Sequence, residues 1–281
     1  MNRNKKTMRR LGTIGKVVAI SSIIIIFLIP FYLGFIYSIK YKNEVTLDRL
    51  AWPENPTIDN YIRVITENSQ FLIGYKNSIL TTIPTVVILM MVTSMAAWVL
   101  ARNRGKFYNI MYTIFTLGIL IPFQCIMLPL YLNLYKAGLI SSSLGFVIAR
   151  TGLQISISIL VVTSFIKTVP RELEEAAGID GCNRFQIFWK IVFPLMKPIN
   201  ATQAVLNTLF VWNDYNTAVV LLRDKLSRTL PLAQIVYFNE NTAELNLAFA
   251  FFNMAMLPVL ILYLSLQKYV VSGIMTGAVK G

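Results

Sequence analysis

Apolar residues in this chain form long unbroken runs. Six stand out: residues 17–38, 71–100, 108–134, 144–166, 199–222 and 245–269. Each is long enough to cross a hydrocarbon core of ~30 Å as a helix. A β-barrel would instead show alternating segments of ~10 residues. Lipid offers backbone amides no partner, so a spanning segment has to bond within itself. The pattern predicts an all-α polytopic membrane protein with six transmembrane helices. Pro84, Pro122, Pro129 and Pro258 lie inside the runs, where proline kinks or breaks a helix and neighbours must satisfy the freed carbonyls. Between the first two runs, Thr57 to Tyr61 is placed to begin a short interfacial helix. The polar stretch 223–244 is placed to cap the outer mouth of a pathway. No soluble domain, low-complexity linker or internal repeat is evident.

Composition agrees, with 56% hydrophobic and 14% charged residues. The net charge of +13 has a topological explanation. With the N-terminus inside, the inner segments hold Arg3, Lys5, Lys6, Arg9, Arg10 and Lys16, then Arg102, Arg104 and Lys106. They also hold Lys167, Arg171, Arg184, Lys190 and Lys197, followed by Lys268 and Lys280. The outer segments hold Lys40, Lys42, Arg49, Arg63, Lys76, Lys136, Arg223, Lys225 and Arg228, and the longest carries Glu44, Asp48, Glu54, Asp59 and Glu67. Both termini are therefore expected in the cytoplasm. The basic residues are spent on topology, so nucleic acid is not expected as a partner. The N-terminus has the basic and apolar regions of a signal peptide, but the apolar run continues through Pro30 to Ile39 without an Ala-x-Ala site and reads as a retained first span. Residues 1–16 are then a cytoplasmic segment and 17–281 a single transmembrane domain. Cys125 and Cys182 lack CxxC spacing, and the absence of histidine removes His-based acid–base and metal chemistry.

Residues 175–194 interrupt the apolar pattern with Glu175-Ala176-Ala177-Gly178-Ile179-Asp180-Gly181 and, after nine intervening residues, Ile191-Val192-Phe193-Pro194. Charge counting puts this segment in the cytoplasm. Pro170 suits a first helical turn, and Glu172, Glu174 and Glu175 put negative charge at its positive end. Ala176, Ala177 and Gly178 make a small face open to close approach, and Gly181 suits a left-handed C-terminal turn. Phe185, Ile187, Phe188, Trp189, Ile191 and Val192 make the next stretch apolar, and Pro194 stops or bends it. Two short helices at a glycine turn would form a protrusion fitted to a cleft. Three readings stay open from the residues alone: such a protrusion, an amphipathic loop that merely connects spans, and a DNA-binding helix-turn-helix, although no basic recognition helix follows.

The spacing Glu175-Ala176-Ala177, three residues, Gly181, nine residues, Ile191, two residues, Pro194 resembles the EAA signature of bacterial ABC importer permeases, with Phe193 where leucine is usual. Asn77-Ser78, Ala96-Ala97, Ala101-Arg102, Trp212-Asn213-Asp214 and the ending 273–281 resemble the carbohydrate-importer branch. The likeness covers nearly the whole chain and points to the shorter, six-span permease of a maltose-type importer in the bacterial cytoplasmic (inner) membrane. It implies a type I ABC importer permease fold with a coupling loop at 168–198, where Glu172, Glu175, Ala176, Ala177, Gly178, Gly181, Ile191 and Pro194 meet a separate ATPase. A cytoplasmic tail at 270–281 offers a second ATPase contact. It further implies a second homologous permease, two ATPase subunits, an extracytoplasmic sugar-binding protein and surrounding membrane lipid. ATP and Mg would be bound by the partner ATPase, with no cofactor and no catalytic residue in this chain. No G-x-x-x-x-G-K-[ST] sequence occurs.

Arg150 and Asp214 are charged residues inside expected spans, and such residues often serve a pathway or an ion pair between subunits. Arg150 could equally snorkel at the outer boundary, and Asp214 could cap a kinked helix. Trp212, Tyr215 and Tyr131 are candidates for stacking on sugar, or for interface anchoring and packing. Asn213 belongs to the same pathway group. An ion-driven secondary transporter and a non-transport membrane scaffold are the rival readings.

Overall fold

The computed structural model describes residues 2–47, 50–239 and 242–278, with side chains described over 15–46, 50–238 and 244–269. The helices, in chain order, are α1 (Asn2–Ser38), α2 (Lys42–Leu47), α3 (Asp59–Thr66), α4 (Ser69–Arg102), α5 (Lys106–Gly118), α6 (Phe123–Lys136) and α7 (Ser143–Ile166). They continue with α8 (Glu172–Ile179), α9 (Arg184–Ile187), a π segment (Phe188–Val192), α10 (Phe193–Leu195), α11 (Lys197–Trp212), α12 (Asn216–Leu221), α13 (Leu230–Ala233) and α14 (Leu245–Ala278). Among the described residues, the chain is helical apart from loops and one antiparallel pair, β1 (Phe238–Asn239) with β2 (Thr242–Ala243), a small departure from the all-α expectation. The short helix expected after Thr57 is α3. The expected tail contact at 273–281 involves side chains beyond 269 and the ending 279–281, and so lies outside the described residues.

Four of the six apolar runs form single long helices, within α1, α4, α7 and α14. Two do not. The run 108–134 divides into α5 and α6, which meet at 101°. Pro122 is the cause: it lacks an N–H for the helical ladder and disfavours α geometry in the residue before it. Leu120 N and Ile121 N turn back to Leu117 O and Gly118 O at 3.0 and 3.4 Å, closing α5. The run 199–222 ends as α11 at Trp212 and restarts at Asn216. At 16 residues, α11 is shorter than the ~20 that a crossing takes. Among the described residues, four helices are therefore long and apolar enough to cross a membrane, or five if α5 and α6 count as one broken span.

The second break has no proline, and side chains hold it. Asn213 Nδ2 donates to Leu209 O at 3.1 Å, and Asp214 Oδ1 accepts the Thr217 N–H at 3.0 Å. Asp and Asn favour such breaks because their side chains compete for backbone groups. Asp214 Oδ2 lies 3.0 Å from Arg150 Nε, with side chains only 7% and 11% exposed. Arg150 Nη2 also donates to Phe210 O, a carbonyl in the last turn of α11. Asp214 thus caps a broken helix, and its ion pair lies within this chain. Arg150 reaches across from α7 to that pair.

The chain divides into two compact units, Met1–Asn68 with Val236–Ala255, and Ser69–Ile235 with Met256–Gly281. In the first, Ile36, Tyr37 and Val45 form a small core with Leu245 and Phe249. Asn60 Nδ2 donates to Ser38 O and Lys40 O at 2.9 and 2.8 Å, satisfying carbonyls left over where α1 ends. In the second, α4 packs along α7, with α11 against both. Thr81, Thr85 and Thr93 turn their hydroxyls back to carbonyls four residues earlier, so they enter the apolar interior fully bonded. Near the start of α4, Asn77 Nδ2 donates to Leu226 O and Arg228 O, both at 2.9 Å, and Ser78 Oγ accepts the Leu230 N–H. The stretch after Arg223 is therefore not a free polar loop. Leu230, Leu232 and Ala233 are buried within it.

Two substitutions probe this packing. A Cβ at Gly74 would meet Ala233 Cβ at 3.1 Å and Leu230 N at 3.2 Å. Gly74→Val should therefore destabilise by about 1–3 kcal/mol, as overpacking does, seen as a lower midpoint on thermal denaturation in detergent. Arg150→Met strands a buried carboxylate and should cost about 3–5 kcal/mol, most of which the double variant Arg150→Met/Asp214→Asn should recover. Equal losses in the single and double variants would show that the pair does not hold the break.

Candidate functional site

The segment between α7 and α11 folds into a compact projection. Lys167, Thr168 and Val169 close α7 through N–H bonds to carbonyls three or four residues back. Helix α8 begins with Glu172, Glu174 and Glu175 in its first turn, where the dipole favours them. It ends in a paired closure: Cys182 N donates to Ala177 O at 3.0 Å and Gly181 N to Gly178 O at 3.1 Å. That pattern needs a left-handed residue, and Gly181 has φ +83°. Asn183 and Gln186 then cap each other's backbone N–H groups, both at 2.9 Å, and start α9.

Pro194 shapes the helix beyond α9. Its ring would clash with the carbonyl four residues earlier and it has no N–H to offer. The turn upstream widens to π geometry, with Phe193 N bonded to Phe188 O. Widening keeps the helix continuous past the proline. The inward side of this stretch is apolar: Phe188, Val192, Met196 and Ile199 are buried against Ala97 and Ala101 of α4 and Val162 and Ile166 of α7. Trp98, Trp189 and Phe193 surround Phe188 at ring separations of 5.5, 5.0 and 5.8 Å.

Outward, the surface is both acidic and apolar. Glu172, Glu175, Ala176, Gly178 and Gly181 are exposed, Ala177 is buried, Ile191 is half-buried and Pro194 is exposed. Ile179, the last residue of α8, stands 88% exposed, and Leu173 and Phe185 are also exposed. Sequence patterning singles out none of these three as surface contacts, although a lone isoleucine between Gly178 and Asp180 is a signal of an apolar tip. It also marks Glu174 only as a helix-start charge. In the structure Glu174 turns inward, where Trp98 Nε1 donates to its Oε2 at 2.9 Å and Arg102 Nε to its Oε1 at 2.8 Å.

The other predicted residues gather elsewhere in the same unit. Arg150 and Asp214 line a cavity of about 410 Å³ that both helix breaks border, through Gly118 and Ile121 on one side and Asn216 and Thr217 on the other. Trp212 is buried edge-on against Tyr75 at 5.9 Å, while Asn213 is exposed. Tyr131 stacks on Tyr135 at 6.1 Å. Among the described residues, no group of three or more His, Cys, Asp or Glu side chains converges as metal ligands would. Cys125 and Cys182 are free thiols.

Comparison with known proteins bears on both regions. The family model for the binding-protein-dependent transport system inner membrane component matches residues 93–276, which include the projection and the Arg150–Asp214 pair. The chain is 36% identical over 251 residues to the probable starch degradation products transport system permease protein AmyC of Thermoanaerobacterium thermosulfurigenes, covering 89% of this chain and 91% of that one. It is 33% identical over 277 residues to the melibiose/raffinose/stachyose import permease protein MelC of Bacillus subtilis, covering 98% of each. A chain in the crystal structure of a bacterial ABC transporter involved in import of the acidic polysaccharide alginate superposes with TM-score 0.81 at 27% identity, covering 93% of this chain and 97% of that one. The long apolar helices, the matched model and these full-length relatives agree: the chain belongs to the family of inner membrane components of binding-protein-dependent transport systems.

Proposed function

We propose that this chain is the transmembrane permease subunit of an ATP-driven importer of sugars or oligosaccharides in the bacterial cytoplasmic membrane. The substrate class rests on the names of the relatives, which handle starch degradation products and melibiose, raffinose and stachyose. The chain crosses six times, with α5–α6 as a broken third span and α11–α12 as a broken fifth, and both termini face the cytoplasm. A second, homologous permease completes the pathway, an extracytoplasmic binding protein delivers the sugar, and two separate ATPase subunits bind ATP and Mg.

One observation carries the coupling reading: a rigid projection, closed by a glycine turn and anchored on the ends of α4 and α7, presents the exposed apolar tip Ile179. An exposed isoleucine at an ordered helix end would gain its burial on entering a cleft of a partner. Closure of the two ATPases around ATP would shift the permeases from inward-open to outward-open, and hydrolysis would reset them. ATP can drive that shift only by binding one global state better than the other. An ion-driven transporter is expected to carry ionisable residues facing an ion pathway near the midplane. Asp214 is paired within this chain with Arg150 and accepts the Thr217 N–H.

Ile179→Asp tests the docking surface. It places charge where an apolar cleft is expected, and the loss of one anchor at an interface is worth about 2 kcal/mol, roughly thirtyfold in Kd. Co-purification of the ATPase with the permease pair should fall accordingly while the variant keeps its thermal stability. Wild-type amounts of bound ATPase would rule out α8 as the docking element. Gly181→Asp should lower transport and ATPase association together, because it adds both a left-handed strain and a charge.

A further inference from the structure

We propose that Glu174, Arg102 and Arg171 form a lock that passes movement of α8 into α4, and through α4 to the loop at its other end. This rests on the coupling reading above and extends it to the route the movement takes. The lock is reciprocal. Arg102, the last residue of α4, donates from Nε to Glu174 Oε1 at 2.8 Å and brings Nη2 to 2.6 Å from the same oxygen. Its Nη2 also donates to Val169 O at 3.0 Å, and Trp98 Nε1 takes the second carboxylate oxygen at 2.9 Å. In return Arg171, immediately before α8, donates to Ala101 O at 3.3 Å and Arg102 O at 3.0 Å, carbonyls that the end of α4 leaves without helical partners.

The chemistry makes this a stiff joint. Both carboxylate oxygens are engaged, one by a planar guanidinium and one by an indole fixed against Phe188. The Arg102 and Glu174 side chains are each only 12% exposed, so water screens the pair weakly. Glu172 and Glu175, one residue pair outward on the same helix, are exposed and have no place in the joint. Helix α4 has 34 residues, about 50 Å at about 1.5 Å each. Near its far end, Asn77 and Ser78 hold the backbone of Leu226, Arg228 and Leu230. A displacement of α8 therefore has a path along α4 to the segment 225–233, with one missing ladder bond at Pro84. Glu174, Arg102 and Arg171 are positioning residues: they fix how α8 and α4 move together.

The test uses the assembled complex of both permeases with the ATPase in lipid nanodiscs, with Cys125 and Cys182 replaced by serine and a single reporter, Leu226→Cys. The readout is the rate of maleimide labelling at position 226 with and without ATP, in the absence of Mg so that hydrolysis does not reset the complex. In the otherwise wild-type complex ATP should change that rate by about tenfold, within the range of ordinary coupling between sites. Glu174→Gln and Arg102→Lys should keep the ATPase bound but lose most of the change, and the charge exchange Arg102→Glu/Glu174→Arg should restore part of it. A wild-type response in Glu174→Gln overturns the lock. Loss of the ATPase from that variant overturns it too, since Glu174 would then shape the docking surface. An unresponsive wild-type complex overturns the lock, since no movement then reaches position 226, whereas the coupling reading itself stands or falls on ATPase co-purification with Ile179→Asp.

Discussion

A backbone amide in hydrocarbon must find its hydrogen-bond partner within the protein, and that requirement shapes this chain throughout. A long helix without proline meets it through its own ladder, as in α7. Where the ladder stops inside an apolar run, a substitute is present at the break. Ahead of Pro122 the last amides fold back onto α5. At Asn213 and Asp214, two polar side chains and Arg150 serve the freed groups. Where α1 ends, Asn60 supplies the donors. The Asn and Asp side chains at these ends and breaks serve the backbone, whereas Thr81, Thr85 and Thr93 within α4 use helix carbonyls to satisfy their own hydroxyls.

The projection between α7 and α11 obeys the same economy outside the membrane. It is short, yet every turn in it has a chemical cause: acidic residues at the start of α8, Gly181 at its end, the Asn183–Gln186 cap, and the π segment ahead of Pro194. Its inner side is continuous with the core between α4 and α7, while its tip carries Ile179 to solvent. Well-capped turns and an exposed apolar residue occur together, as the proposed docking would require. The cavity at the two helix breaks is a separate region with a different chemistry, where the Arg150–Asp214 pair adjoins a mixed lining that includes Ser156, Asn216, Ile121 and Leu153.

Much of this was legible from residue order. Unbroken apolar runs gave α1, α4, α7 and α14, and the Gly181 and Pro194 positions indicated the turn and the bend of the projection. The breaks were harder to place. Ile119, Leu120 and Ile121 are as apolar as the helices they separate, so only Pro122 marked the first one. At the second, Asp214 offered a cap for a kinked helix, but two polar residues among leucines and valines did not show that the run divides there. The partners of Glu174 and Asp214 could not be read at all. Glu174 meets Arg102 across 72 positions, and periodicity says nothing about contacts that distant in sequence.

The central claim is that α8 seats its tip in a cytoplasmic ATPase subunit. The most direct measurement is cross-linking from a single cysteine at Ile179, in an otherwise cysteine-free chain, using a short bismaleimide on inside-out membrane vesicles that contain the whole importer. An adduct with the combined mass of permease and ATPase, suppressed when the ATPase is stripped from the vesicles, is the predicted result. No adduct, together with labelling of the same cysteine by an impermeant maleimide in right-side-out vesicles, would put the projection on the wrong face of the membrane and contradict the claim.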